Sequence, residues 1–140
     1  MSLKFLTYNI DGLNPAAITY RTNTILSLIL SENPDVVQVQ EVVADTAASI
    51  IRTLTKNGYA SFHEADRPSN LCHYFTLSFA RTDRIQNPII RRIPYTGAAR
   101  SEQGRDILQL NLTFMGLQWM FINCHLESCG VAFKSPGSAI

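Results

Sequence analysis

The chain has 140 residues, 46% of them hydrophobic, enough for one small domain with a buried core. A net charge of +1 excludes a globally basic nucleic-acid binder, so any cationic surface must be local. Cys72, Cys124 and Cys129 lack metal-ligand spacing and leave one cysteine unpaired, and neither a secretory h-region nor an apolar run of about 18 residues occurs. The expectation is a soluble protein of a reducing compartment, with no membrane partner.

Leu3 to Ile10 alternates as a strand and closes on Asp11-Gly12 and Asn14-Pro15. Ala16 to Leu30 carries Ile18, Ile25, Leu26, Ile29 and Leu30 at helical spacing and stops at Ser31 to Pro34. Asp35 to Val42 is β-branched and predicts a second strand. Thr46 to Lys56 returns to helical spacing and ends at Asn57-Gly58. Strand, helix, strand, helix predicts crossover units and an α/β sandwich.

Beyond Gly58 the pattern predicts strands at Tyr59 to Glu64, Tyr74 to Ala80, Ile89 to Ile93, Asp106 to Phe114 and Leu117 to His125. Met115-Gly116 makes the last two a hairpin. Asp66 to Asn70 and Tyr95 to Gly104 are expected as loops. The terminal "CGVAFKSPGSAI" breaks the alternation of elements, so residues 1–128 form the domain part and 129–140 a divergent tail.

Polar groups at the strand ends carry the functional signal. Asn9, Asp11 and Gly12 close the first strand, where on their own a turn is the commoner use of such residues and a site the alternative. In "DVVQVQEV" strict alternation puts Val37, Val39 and Glu41 on one face and Gln38, Gln40 and Val42 on the other. A carboxylate beside two valines needs a cation or donors, unless it reaches solvent. His125, Glu127 and Ser128 follow the apolar strand "LQWMFINC", where imidazole and hydroxyl can donate to a phosphate or serve structure alone. Arg81, Arg84, Arg91, Arg92, Arg100 and Arg105 stand against only Asp83 and Glu102, an excess suited to phosphates or to a solvated hairpin face. Tyr74 and Phe75 suit sheet packing or base stacking. His63 and His73 have no ligand spacing.

Taken in order, "TYNIDGL", "VQVQEVV", "YFT" and "NCHLES" resemble the tyrosyl-DNA phosphodiesterase 2 family of the endonuclease/exonuclease/phosphatase superfamily, from about Leu3 to Ser128. The resemblance implies a four-layer α/β sandwich, here roughly its first half. It implies a Mg²⁺-dependent phosphodiesterase, with Mn²⁺ as the substitute ion, that hydrolyses the bond between a topoisomerase tyrosine and a DNA 5′-phosphate. Its partners would be DNA 5′ ends bearing a tyrosyl adduct, with topoisomerase-derived peptide attached, in the nucleus and secondarily the cytoplasm.

By position, Glu41 and Asp11 match the metal environment, and Asn9 the amide that holds phosphate. Asn9, Asp11, Glu41 and His125 are thus the candidate catalytic set. Asn9, Ile10, Asp11, Gly12 and Leu13 match the segment lining the DNA 5′ end. Tyr74, His125, Leu126, Glu127 and Ser128 match substrate-contacting positions. The chain departs from the family at Cys129 and Gly130, where Thr and Arg are usual, and at Gln38, a position apolar in relatives. It also lacks the later Gly-Asp-x-Asn and Ser-Asp-His motifs, which supply the general base and a phosphate-binding histidine. The expectation is little or no turnover by this chain alone. The alternatives are a non-catalytic product that binds DNA ends or a protein, and another branch of the superfamily such as an abasic-site endonuclease or lipid phosphatase.

Overall fold

The computed structural model describes residues 2–62, 74–95 and 105–126. Its order is β1 (Phe5–Asn9), α1 (Ile18–Glu32), β2 (Val36–Val42), α2 (Ala44–Lys56), β3 (Tyr59–Phe62), β4 (Phe75–Arg81), β5 (Gln86–Pro94), β6 (Asp106–Phe114) and β7 (Leu117–Cys124). Every predicted element is present. Glu64, the loops at 66–70 and 96–104, His63, His73, Cys72, Arg100 and the 129–140 tail lie outside the described residues.

Two sheets form, in the orders β1-β2-β4-β3 and β5-β6-β7. β1 and β2 run parallel through the α1 crossover, whereas the remaining pairings are antiparallel. Both helices cover one face of the first sheet: Ile25, Leu26 and Ile29 of α1 and Ile50 and Leu54 of α2 bury against Val37, Val39, Leu77 and Phe79. The opposite face meets the second sheet through Val36 and Ala80 against Leu110, Leu112 and Phe114. This makes three of the four layers implied by the resemblance: helices, sheet, sheet.

Local chemistry sets the ends of these elements. Asn33 stops α1 in the left-handed conformation (φ 47°), its N–H returning to the Ile29 carbonyl at 2.9 Å. Met115 and Gly116 both have positive φ (51° and 76°), the geometry of the two-residue turn whose twist suits a hairpin. Asp35, fully buried at the start of β2, accepts from the Lys4 N–H at 2.7 Å and from Arg84 Nη1 at 2.8 Å. Burial pushes the Tyr59 phenol above its ordinary pKa, and its hydroxyl donates to the Pro34 carbonyl at 2.8 Å.

Strict alternation fails in β2. Val39 pairs with Leu77 and Val42 with Phe75, so β2 spends three steps where β4 spends two. The extra residue is a bulge, with Glu41 at φ 56°. Val42 therefore joins Val37 and Val39 beneath the helices, and Glu41 leaves the face that alternation assigned to it.

Candidate active site

The bulge turns Glu41 toward the end of the cleft between the sheets. Its Oε1 accepts from Asn9 Nδ2 at 3.0 Å and lies 3.4 Å from His125 Nε2, an ion pair whenever the imidazole carries its second proton. The three residues come from the C-terminal ends of β1 and β2 and from the exit of β7. Asn9 works from both ends, because its Oδ1 also accepts the Asp11 N–H at 2.9 Å. The polar strand ending is thus both a turn and part of a site.

The Asp11-to-Ala16 loop is closed by Arg21. Its guanidinium donates to the carbonyls of Asp11 (2.8 Å), Asn14 (2.6 Å) and Ala16. The Asp11 carboxylate accepts from Asn14 Nδ2 at 3.2 Å and lies 3.9 Å from Arg21. Asp11 and Glu41 consequently share a loop junction but have different partners. Ile10 is buried in the helix-side core, and Leu13 is exposed. Gly12 is pressed against β2: a Cβ there would lie 2.0 Å from the Glu41 carbonyl oxygen. Backbone approach to Glu41 therefore accounts for this glycine.

His125 meets the Tyr74 ring edge-on, with centroids 5.9 Å apart. Arg105 braces both neighbours of that imidazole: Nε donates to the Tyr74 hydroxyl at 2.8 Å, and Nη1 donates to the Leu126 carbonyl. Its guanidinium carbon also lies 5.5 Å from the Tyr74 ring centroid. Glu41, Tyr74, Phe75, Thr76, Arg105, Asp106 and His125 line one shallow cleft. Glu127 and Ser128 lie outside the described residues.

Sequence reasoning named Arg92 and Arg105 only within an arginine excess and singled out neither Thr76 nor Asp106. Half of the six arginines are neutralised by pairing: Arg81 with Asp83, Arg84 with Asp35, and Arg92 with Asp106 at 2.5 Å. Hydrogen bonding to Arg81 holds the Asp83 carboxyl below its ordinary pKa. Arg92 also donates to the Thr76 carbonyl at 3.1 Å, so the pair crosses from β5 and β6 to β4. The alternation that flags Glu41 flags Arg92 too, since Arg92 shares the inward face of β5 with Ile90, opposite Leu108 and Leu110.

Among the described residues no group of three or more His, Cys, Asp or Glu side chains gathers to hold a metal. The donor set still suits a hard cation that keeps most of its waters and takes one or two carboxylates. Of the carboxylates lining the cleft, Glu41 could serve as such a ligand, whereas Asp106 is paired to Arg92.

No family model matches the chain. Mouse tyrosyl-DNA phosphodiesterase 2 is 25% identical over 127 residues, which are 91% of this chain and 32% of the mouse protein. A humanized D. rerio TDP2 superposes with a TM-score of 0.77 at 25% identity, covering 90% of this chain and 48% of the other. D. rerio TDP2 complexed with single-strand DNA product gives 0.71 at 26% identity, covering 91% and 47%. The chain thus spans about a third of the mouse protein and about half of the solved chains. Matched over nine-tenths of its length in both sequence and backbone, the chain is similar to tyrosyl-DNA phosphodiesterase 2 over the N-terminal half of that fold.

Proposed function

We propose that Asn9, Glu41 and His125 form the metal- and phosphate-binding half of a Mg²⁺-dependent phosphodiesterase site of the 5′-tyrosyl-DNA type. The carrying observation is the Glu41 carboxylate held between Asn9 Nδ2 and His125 Nε2 at the mouth of the intersheet cleft. The D. rerio relative bound to a single-strand DNA product supports a DNA end as ligand.

Glu41 would hold the ion, with Asp11 the second carboxylate of the loop. Mn²⁺ would substitute for Mg²⁺. The metal would offset the charge that grows on the leaving oxygen of a phosphodiester. The chain's own groups orient and neutralise. Asn9 fixes the Glu41 rotamer, and His125, paired with Glu41, would donate to a phosphate oxygen once a phosphate enters. Arg105 and Tyr74 hold the imidazole in place from the other side. The Asn9-to-Leu13 segment, with Leu126, Glu127 and Ser128, would line the path of the DNA 5′ end. A nuclear repair role on topoisomerase-tyrosyl ends, with cytoplasmic work second, follows from the same reading.

Turnover by this chain alone is expected to be very low. Of the two carboxylates that line the cleft among the described residues, Asp106 is neutralised by Arg92 and Glu41 would be committed to the metal, so neither would be available to activate water. The test is incubation with Mg²⁺ and a 5′-phosphotyrosyl oligonucleotide, alongside an anisotropy titration with 5′-phosphorylated DNA. Binding that needs Glu41 supports the half-site, and binding without turnover is the non-catalytic alternative. Absence of both overturns the proposal. Competition by an abasic-site duplex rather than a tyrosyl-DNA analogue would instead favour a different superfamily branch.

A further inference from the structure

We propose that Asn123 is the positioning residue that sets Glu41 and His125 against each other. Inward positions of β7 read Leu117, Trp119, Phe121 and then Asn123, opposite Phe114, Leu112, Leu110 and Leu108 of β6. An apolar side chain would continue that stripe. An amide stands there instead, 1% exposed, between the two sheets. A buried amide is costly unless its hydrogen-bonding capacity is used.

Here both N–H groups are used. Nδ2 donates to the Leu77 carbonyl at 2.8 Å and to the Val39 carbonyl at 3.2 Å, while Oδ1 accepts from Gln40 Nε2 at 2.7 Å. Gln40 in turn donates to Thr7 Oγ1 at 3.0 Å. One side chain therefore ties β7 to β2 and β4, and through Gln40 to β1.

The location of these bonds matters more than their number. Val39 and Leu77 are the last regular pair before the bulge that turns Glu41. Glu41 stands two residues beyond Val39, and His125 two residues beyond Asn123. Each member of the Glu41–His125 pair is thus suspended two residues from the same clamp. Releasing the clamp frees the bulge and the end of β7 together, although the hydrogen bonds of Asn123 go to Val39, Leu77 and Gln40.

The consequence for DNA rests on the half-site proposed above, whereas the geometric coupling does not, and the experiment separates them. His125 ring resonances are assigned by NMR through their loss in His125→Gln. The response of those resonances to Glu41→Gln is then compared in native and Asn123→Leu backgrounds. The expected result is a clear response in the native protein that falls below about half in Asn123→Leu. An undiminished response in a folded Asn123→Leu protein overturns the proposal, as does no response in the native protein. If Asn123→Leu does not fold, Asn123→Thr, which suits a strand and keeps one donor, decides by the same comparison. Failure of both to fold assigns Asn123 to stability alone and also overturns the proposal. In the DNA arm, affinity for a 5′-phosphorylated oligonucleotide is expected to fall about tenfold in Asn123→Leu, with no further loss on adding Glu41→Gln. No binding by a native protein that keeps the NMR coupling would count against the half-site and leave the clamp standing.

Discussion

Replacing Gln38 with methionine is expected to stabilise this protein. Gln38 is 2% exposed on the face of β2 that packs against the second sheet, and its Nε2 has no hydrogen-bond partner. Its cross-strand partner Ser78, fully buried, likewise leaves Oγ unpartnered. A buried donor left unmade costs about 1–3 kcal/mol, the desolvation penalty without its compensation. Methionine has nearly the same length and no branch, so it removes that penalty without overpacking the seam between Val36 and Gln40. At roughly 2–4 °C per kcal/mol for a chain of this size, the melting temperature should rise by roughly 2–12 °C. Thermal and urea unfolding followed by far-UV circular dichroism would measure it, with an unchanged m value showing that native compactness is retained. A fall in stability of more than about 1 kcal/mol would refute the reasoning, because it would mean the amide is satisfied in solution and that satisfaction matters. Ser78→Ala in the Gln38→Met background should gain less than the sum of the single changes, since the two side chains share one site.

Gly12→Ala should both destabilise the fold, by about 1–3 kcal/mol, and weaken binding of 5′-phosphorylated DNA, because its Cβ would meet the Glu41 carbonyl oxygen at 2.0 Å. Urea unfolding and anisotropy read the two effects, and wild-type values in both would show that the loop simply yields. Asp106→Asn leaves Arg92 buried without its carboxylate and should cost about 3–5 kcal/mol, whereas Arg92→Met combined with Asp106→Leu should cost far less. Equal losses in the two proteins, by chemical denaturation, would contradict this. Tyr59 keeps its proton in the fold at pH values where the unfolded chain loses it, because burial raises its pKa from the usual 10.0. Its contribution is therefore fully present below about pH 10 and is lost as pH rises through the folded value. Tyr59→Phe should flatten the alkaline part of the stability profile, and an unchanged slope in pH-dependent unfolding would rule out this group as the cause.

The crossover half of the fold was legible because its signals are local. Helical spacing in α1 and α2, the Asn57-Gly58 stop and the β-branched run of β2 each point to the element that forms. The Met115-Gly116 turn is equally direct, because two positive-φ residues need such a sequence. Glu41 was legible as a strand-end carboxylate but not by face. A bulge changes parity without leaving a mark in the hydropathy pattern, so alternation carried one residue too far misassigned both Glu41 and Val42. Arg92 and Asp106 escaped for a different reason. Their pairing joins β5 to β6, and a surplus of arginines looks free until register shows which carboxylate stands opposite each one. Asn123 was hidden in the apolar run "LQWMFINC", where a single amide does not disturb the strand prediction.

These misses share a location, and the location carries the functional argument. Along β2 and β4 the cross-strand pairs change character in order. Val36 with Ala80 is apolar, Gln38 with Ser78 is polar and poorly satisfied, and Val39 with Leu77 is where the Asn123 amide bonds backbone carbonyls. Beyond the bulge stand Glu41, His125 and Tyr74. Stability alone would favour an apolar seam throughout, because each buried amide must recover its lost hydration. A polar seam that improves in satisfaction toward the cleft is what a site requires when its charged groups must be held by groups that themselves do not move. On this view the poorly satisfied Gln38 is the tolerated inner end of that seam and Asn123 its anchored outer end. Gln38→Met should therefore stabilise the protein without altering the Glu41–His125 coupling, while Asn123→Leu should cut the coupling to below about half whatever it does to stability.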